Sequence, residues 1–196
     1  MNRKLVIAAA VTSLFNLPLA YAEIPQGFSV YGSAAFVGSS TKFTSGSDSF
    51  DGFGTDDTSF DLGAEYSFGT ENSFAIGAKY LTGFEVANWN SDSTVKIEDG
   101  GGYAFYVSPR VKIGDSTLLT GTIGMFQTDG KITTDGTAAK GDLEGNYYGF
   151  GVRHYLDGNN FIEVGMERFN YDALRISSVD LEGSATKALI TYGVTF

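Results

Sequence analysis

From Phe28 to the C-terminus the chain alternates apolar and polar residues with a period of two, which commits it to β-strands whose two faces meet different surroundings. Eight such segments are present. The first sets Phe28, Val30, Gly32, Ala34 and Phe36 against Ser29, Tyr31, Ser33 and Ala35. The second opposes Phe60, Leu62, Ala64, Tyr66 and Phe68 to Ser59, Asp61, Gly63, Glu65 and Ser67, and the third sets Phe74, Ile76, Ala78 and Tyr80 against Ser73, Ala75, Gly77 and Lys79. In the fourth, Tyr103, Phe105, Val107, Val111 and Ile113 face away from Ala104, Tyr106, Ser108, Arg110 and Lys112. A noisier fifth, 117–127, offers Leu119, Ile123 and Met125, and the sixth opposes Tyr148, Phe150, Val152 and His154 to Tyr147, Gly149, Gly151 and Arg153. The seventh sets Ile162, Val164 and Met166 against Glu163, Gly165 and Glu167. Phe161 and Phe169 fall on its polar side, so a bulge is expected there. The eighth carries Ala188, Ile190, Tyr192, Val194 and Phe196 opposite Lys187, Leu189, Thr191, Gly193 and Thr195.

The connections alternate in length. Long polar segments near 41–57, 85–101, 127–145 and 171–184 are separated by short turns at Gly69-Thr70-Glu71-Asn72, Gly114-Asp115 and Asp157-Gly158-Asn159. The composition agrees, with 26 Gly, 16 Phe and 11 Tyr against 3 Pro, a mixture rich in strand formers. With no Cys, disulfides and thiolate sites are excluded.

Residues 1–22 read as a cleavable export signal: Arg3 and Lys4, a mostly apolar stretch from Leu5 to Leu19, and an Ala20-Tyr21-Ala22 cleavage site. Cutting 22 of the 196 residues leaves 174 in one domain, 23–196, and shifts the net charge from −10 to −12. A surface that acidic repels nucleic acid, which is thereby excluded as a partner. Beyond the signal no apolar run reaches the length of a membrane-crossing helix, so a membrane can be crossed only by a closed barrel with no free sheet edge.

Two features select lipid over water as the solvent of the apolar face. The opposite face mixes both signs of charge, Asp61, Glu65, Lys79, Arg110, Lys112, Arg153, Glu163, Glu167 and Lys187, and is expected to form an ion-pair network inside a narrow lumen. Gly63, Gly77, Gly149, Gly151, Gly165 and Gly193 on the same face would leave room for those long side chains. The apolar face also gathers aromatics near both strand ends: Phe28, Tyr66, Phe68, Phe74 and Phe196 at one, Phe36, Phe60, Tyr80 and Tyr103 at the other. Pro109 removes a ladder hydrogen bond, so a bulge is expected there too. The expected fold is all-β, an eight-stranded antiparallel transmembrane β-barrel with short periplasmic turns, long extracellular loops and both termini in the periplasm.

With these residues in place, the chain resembles the OmpA- and OmpX-type eight-stranded outer-membrane proteins, including the small surface-antigen barrels. Its ending, Ile190-Thr191-Tyr192-Gly193-Val194-Thr195-Phe196, is similar to that group's C-terminal assembly signal, with Ile190, Tyr192, Val194 and Phe196 as the alternating apolar positions. The resemblance implies residence in the bacterial outer membrane, insertion by the outer-membrane assembly machinery, and contact with outer-membrane lipid and lipopolysaccharide. It implies no wall anchoring, since the longer OmpA-type proteins continue into a peptidoglycan-binding domain and this chain stops at the eighth strand.

Catalysis is not expected. Arg153-His154-Tyr155 superficially resembles the His motif of outer-membrane lipid A deacylases, but Leu156 stands where they carry Ser, and His154 falls near a periplasmic turn. Asp48, Asp51, Asp56 and Asp57 in the first long segment and Asp129, Asp135, Asp142 and Glu144 in the third solvate Gly- and Ser-rich tips, with divalent-cation capture as the other reading, although no EF-hand spacing occurs. Trp89, beside Val86 and Val95, either anchors a partner or packs a hairpin above the membrane. No metal or cofactor is expected. The function expected is structural or surface-interacting, through the acidic outer segments and an extracellular ligand of unspecified chemistry. A narrow channel is the alternative, with a lipid A-modifying enzyme behind it.

Overall fold

A computed structural model describes residues 24–45, 48–53, 57–69, 72–90, 94–134, 136–176 and 179–196. The side chains of Asp48, Asp51, Asp56, Trp89 and Asp135 lie outside the described set. The described residues form nine strands: β1 (Gly27–Ser45), β2 (Asp48–Phe53), β3 (Asp57–Phe68), β4 (Asn72–Asn90), β5 (Thr94–Gly114), β6 (Thr117–Thr134), β7 (Thr137–Tyr155), β8 (Asn160–Ile176) and β9 (Val179–Thr195). Eight of them close a ring, β1-β3-β4-β5-β6-β7-β8-β9, through antiparallel neighbours and a final β1–β9 pairing. β2 pairs with the upper part of β1, on the edge that β3 occupies lower down, and so extends the wall above β3.

The register fixes the barrel's dimensions. Stepping from partner to partner around the ring leads from Ser29 to Glu65, Gly77, Tyr106, Gly124, Tyr147, Phe169, Ala185 and back to β1 at Ser39. That is a climb of ten residues per circuit. At about 3.3 Å per residue and about 4.8 Å between strands, the climb tilts the strands by about 40° and gives a radius of about 8 Å. An interior that narrow is filled by side chains.

The outer surface carries a continuous apolar band. On β5 it runs from Tyr103 (65% exposed) through Phe105 to Ile113 (57% exposed), and Leu62 on β3, Ile123 and Met125 on β6 and Phe150 on β7 are exposed to a similar degree. Ten residues along a tilted strand span about 25 Å, the height of a hydrocarbon band. Aromatics edge it: Phe68 stacks on Phe74 and meets Tyr66 at a tilt at one rim, and Tyr80 meets Tyr103 edge-on at the other.

Above this band the polarity of the strands inverts. On β7, Asp142 and Glu144 point out while Leu143 is buried; on β5, Lys96 and Glu98 point out while Ile97 is buried. The β4–β5 pair reaches this arrangement through a reversal of parity. Leu81 and Phe84, three residues apart, are both buried. The reversal occurs where Gly83 faces Gly100-Gly101-Gly102, with Gly101 at φ 91° and a shift of the β5–β6 register between Asp99 and Gly102. Side chains at these glycines would collide with the neighbouring strand's backbone. Buried Asp99 caps the bulge, accepting hydrogen bonds from the Gly101 amide at 2.9 Å and the Tyr171 hydroxyl at 3.0 Å.

Three expectations are corrected here. The long polar segments are largely strand: β6 and β7 pair out to Thr134 and Thr137, a rise of about 23 Å along the barrel axis beyond Met125, because their glycines and aspartates still alternate with Ile132 and Leu143. Pro109 causes no bulge. The β5–β6 register is the same at Val107–Ile123 as at Arg110–Thr120, and Pro109 packs against Gly121, where a β-carbon would lie 3.3 Å from the ring. Nor does β8 bulge between Phe161 and Phe169, where its pairing with β7 is unbroken; its irregularity lies higher, between Tyr171 and Leu174. Both Phe side chains simply point inward.

Candidate functional site: the lumen and the outer hairpins

The lumen gathers eight of the nine charged residues expected there. Glu65 on β3 accepts from Arg153 Nη1 at 2.5 Å, Arg110 Nη2 at 2.6 Å and the Tyr106 hydroxyl at 2.9 Å. Arg153, on β7, also donates through Nε to Glu163 Oε2 at 2.7 Å, and Thr120 holds the other Glu163 oxygen at 2.8 Å. Lys79 pairs with Glu167 at 2.6 Å and Lys187 with Asp61 at 3.1 Å. Four cations thus face four carboxylates, which leaves the cluster neutral as burial in a narrow space demands. Lys112 departs from the expectation. It is exposed at the end of the barrel that carries the short turns, beside a shift of register between Lys112 and Gly114, and stands apart from the lumen cluster.

What sequence reasoning missed is the aromatic half of the interior. Tyr31, Tyr106, Tyr147 and Phe161 point inward, each directly across a ladder from a glycine: Gly63, Gly77, Gly124 and Gly193. A β-carbon at Gly63, Gly77 or Gly193 would fall inside the facing ring. These glycines make room for rings, whereas Gly149 and Gly151 do lie against Glu167 and Glu163. The signal was available once hairpin registers were laid out, as an aromatic residue opposite a glycine on one face. Tyr31 and Tyr106 meet hydroxyl to hydroxyl at 2.8 Å, from strands three steps apart around the ring.

Outside the membrane band, Glu85, Lys96, Glu98 and Lys131 form a charge ladder, with Lys96 3.2 Å from Glu85 and 2.7 Å from Glu98, and Lys131 3.0 Å from Glu98. Its Lys96 hydrogen bond, more than any other contact, holds the Glu98 carboxyl below the usual carboxylate range. Asp129 and Asp142 face each other across β6–β7, as do Lys131 and Lys140. Among the described residues no group of three or more His, Asp or Glu side chains converges as metal ligands would.

At the opposite end, the turn after β7 is tied by Asp157, which accepts from the Asn159 and Asn160 amides at 2.9 and 2.7 Å; these bonds, that from Asn160 first, lower its carboxyl pKa. His154 is buried beside this turn with Nδ1 3.0 Å from the Thr117 hydroxyl. Ile190, Tyr192 and Phe196 lie on the lipid face, and the Phe196 amide donates to the Phe28 carbonyl at 2.7 Å.

A closed eight-strand ring with an apolar exterior and a charged interior has the architecture of a membrane barrel, and the family model described as "Outer membrane protein beta-barrel domain" matches residues 7–196. The chain belongs to that family. It is a protein of the bacterial outer membrane. Among solved structures it is similar to Neisserial surface protein A (TM-score 0.51, 16% identity, covering 87% of this chain and 97% of that one). It is also similar to Ail, the attachment invasion locus protein of Yersinia pestis (TM-score 0.48, 15% identity, 88% of this chain and 100% of that one), and to the outer membrane protease OmpT of Escherichia coli (TM-score 0.48, 10% identity, 91% and 99%). At these identities the likeness is one of fold. No curated protein matches the chain.

Proposed function

We propose that this is a non-catalytic outer-membrane barrel that works at the cell surface through its outer hairpins, after residues 1–22 have directed export and the Ile190-Tyr192-Val194-Phe196 edge has guided assembly. The observation that carries the reading is the inversion of polarity above the membrane band. There the strands acquire an apolar interior (Phe84, Ile97, Phe126, Leu143, Tyr171) and a charged exterior, as a water-soluble β-domain does. Such a platform holds the hairpin tips clear of the lipid. The carboxylates Asp129, Asp142 and Glu144 and the lysines Lys131 and Lys140 are then offered to lipopolysaccharide and to whatever lies outside. Absence of catalysis is supported by the place of His154, beside a periplasmic turn and far from the outer leaflet.

Photo-crosslinkers placed at Lys140 and Asp142 in intact cells, with Asp157 as control, test this. Adducts with lipopolysaccharide or a surface ligand from the two hairpin positions and not from Asp157 are expected. The same adducts from all three positions, or a lipid A profile that changes with His154→Ala, would refute the reading.

A further inference from the structure

The inward rows of β7 and β8 share a pattern that the ion pairs do not explain. Read along β8, the row is Phe161, Glu163, Gly165, Glu167, Phe169; along β7 it is Tyr155, Arg153, Gly151, Gly149, Tyr147. In register these rows pair ring with ring at both ends, Tyr155 with Phe161 and Tyr147 with Phe169, and between them Arg153 with Glu163, Gly151 with Gly165 and Gly149 with Glu167. The lower rings meet edge-on at 5.6 Å and join Leu118 and Ile24; the upper rings stack at 4.8 Å and join Phe126, Leu81 and Phe84. Phe161 is 0% exposed, and Phe169 and Tyr147 are each 1% exposed.

The charges are capped by these rings. The Arg153 guanidinium lies 3.9 Å from the Phe161 ring centre, Lys79 Nζ 4.8 Å from that of Tyr147, and Lys187 Nζ between Phe84 and Phe169 at 5.3 and 5.0 Å. Between the two aromatic layers remains a polar cavity of about 40 Å³, lined by Tyr31, Glu65, Lys79, Arg110, Thr122 and Glu167 among others. It has room for about three waters.

We infer that the lumen is closed by two separate apolar seals, Tyr155/Phe161/Leu118 toward the periplasm and Tyr147/Phe169/Phe126 toward the outside, and that the ion-pair layer between them is not the barrier to solutes. An ion crossing either seal must shed its water among rings that offer it no full set of ligands, a cost of many kcal/mol however the charges behind them are arranged. The charged layer, by contrast, would solvate an ion. This rests on the reading of the protein as something other than an open channel.

The test uses the refolded full-length barrel in planar bilayers, with a heat-modifiable gel shift to verify folding. Unmodified protein and the charge-balanced variant Glu65→Gln/Arg110→Met should show no steady conductance, as should a variant cut at one seal alone, Tyr155→Ala/Phe161→Ala or Phe126→Ala/Phe169→Ala. Cutting both seals should raise conductance at least tenfold above leak. Should the doubly cut barrel not fold, Thr122→Cys provides the readout. The chain has no native Cys, and a small charged thiol reagent should leave this one unmodified in the intact barrel and in the charge variant, and modify it at least tenfold faster once Phe161→Ala opens the lower seal. Conductance or labelling in the charge variant, or none after the seals are cut, overturns the inference while the closed-lumen reading stands. Steady conductance by the unmodified protein overturns that reading instead.

Discussion

Replacing Glu65 by Gln probes the lumen at its most connected point. The side chain keeps its length, but its one remaining carbonyl oxygen can serve either Arg153, which now binds Oε1, or Arg110 and Tyr106, which share Oε2, and its new NH₂ group is a donor turned toward the donors on the other side. Arg153 is not stranded, since Glu163 holds its Nε at 2.7 Å and Phe161 stacks beneath it. Arg110 is worse placed, because its other hydrogen bond is to Ser108 at 3.4 Å and its side chain is 1% exposed. The neutral lumen becomes positive by one charge. Breaking a buried pair in this way costs about 3–5 kcal/mol, and Arg153's surviving contacts put the expectation near the low end, about 3 kcal/mol. The assay is equilibrium unfolding in urea, followed in lipid vesicles by the gel mobility of folded and unfolded forms. The cycle is completed with Arg110→Met and the double variant, which restores neutrality. The double variant should be about 2 kcal/mol more stable than the sum of the single effects predicts. Additive effects, or a Glu65→Gln barrel as stable as the original, would refute the claim that Glu65 neutralises both arginines.

Gly63→Leu forces a side chain into the Tyr31 ring and should cost about 1–3 kcal/mol, part of it recovered in combination with Tyr31→Ala; an unchanged urea midpoint would contradict the ring-on-glycine packing. Because the Glu98 pKa is lowered in the folded state, its stabilisation of the outer hairpins is present above the unfolded value of about 4.3 and is lost as pH falls through the lower folded value. Both partners are about a third exposed, so the effect is well below 1 kcal/mol. Amide protection factors near Lys96–Lys131, corrected for the intrinsic pH dependence of exchange, should fall below about pH 4 while the membrane band stays protected, and equal protection factors at pH 7 and pH 3 would count against it. Deleting Phe196 removes the hydrogen bond to Phe28 and the last apolar position of the edge, and should slow assembly in cells several-fold; undiminished yields of heat-modifiable barrel would exclude a role for this residue.

The transmembrane architecture was legible in the sequence because lipid enforces strict alternation, and each of Phe60, Leu62, Tyr66 and Phe68 contributes to a single exposed face. The outer half was not. Asp129-Gly130-Lys131-Ile132-Thr133 reads as a polar segment, and the apolar positions that face inward there, Ile97 and Leu143, are single residues among charges and glycines. The parity change at Gly83 and Gly100–Gly102 removes the remaining periodicity on β4 and β5. Within the lumen, the charged residues stood out because they oppose apolar ones. The rings did not, since an aromatic on the polar side looks like an error of register until the opposite residue is seen to be glycine, as with Phe161 and Gly193. Lys112 was misplaced because a two-residue period cannot foresee the irregularity two positions later.

The central claim, that lipid covers the exterior between the two aromatic rims while the acidic hairpins stand outside the cell, is tested most directly by single cysteines in this Cys-free chain. A membrane-impermeant maleimide applied to intact cells should label Asp142→Cys within minutes, leave Phe105→Cys and Phe150→Cys unlabelled, and reach Asp157→Cys only after the outer membrane is permeabilised. Labelling of Phe105→Cys by that aqueous reagent, or of Asp157→Cys in intact cells, would contradict the account.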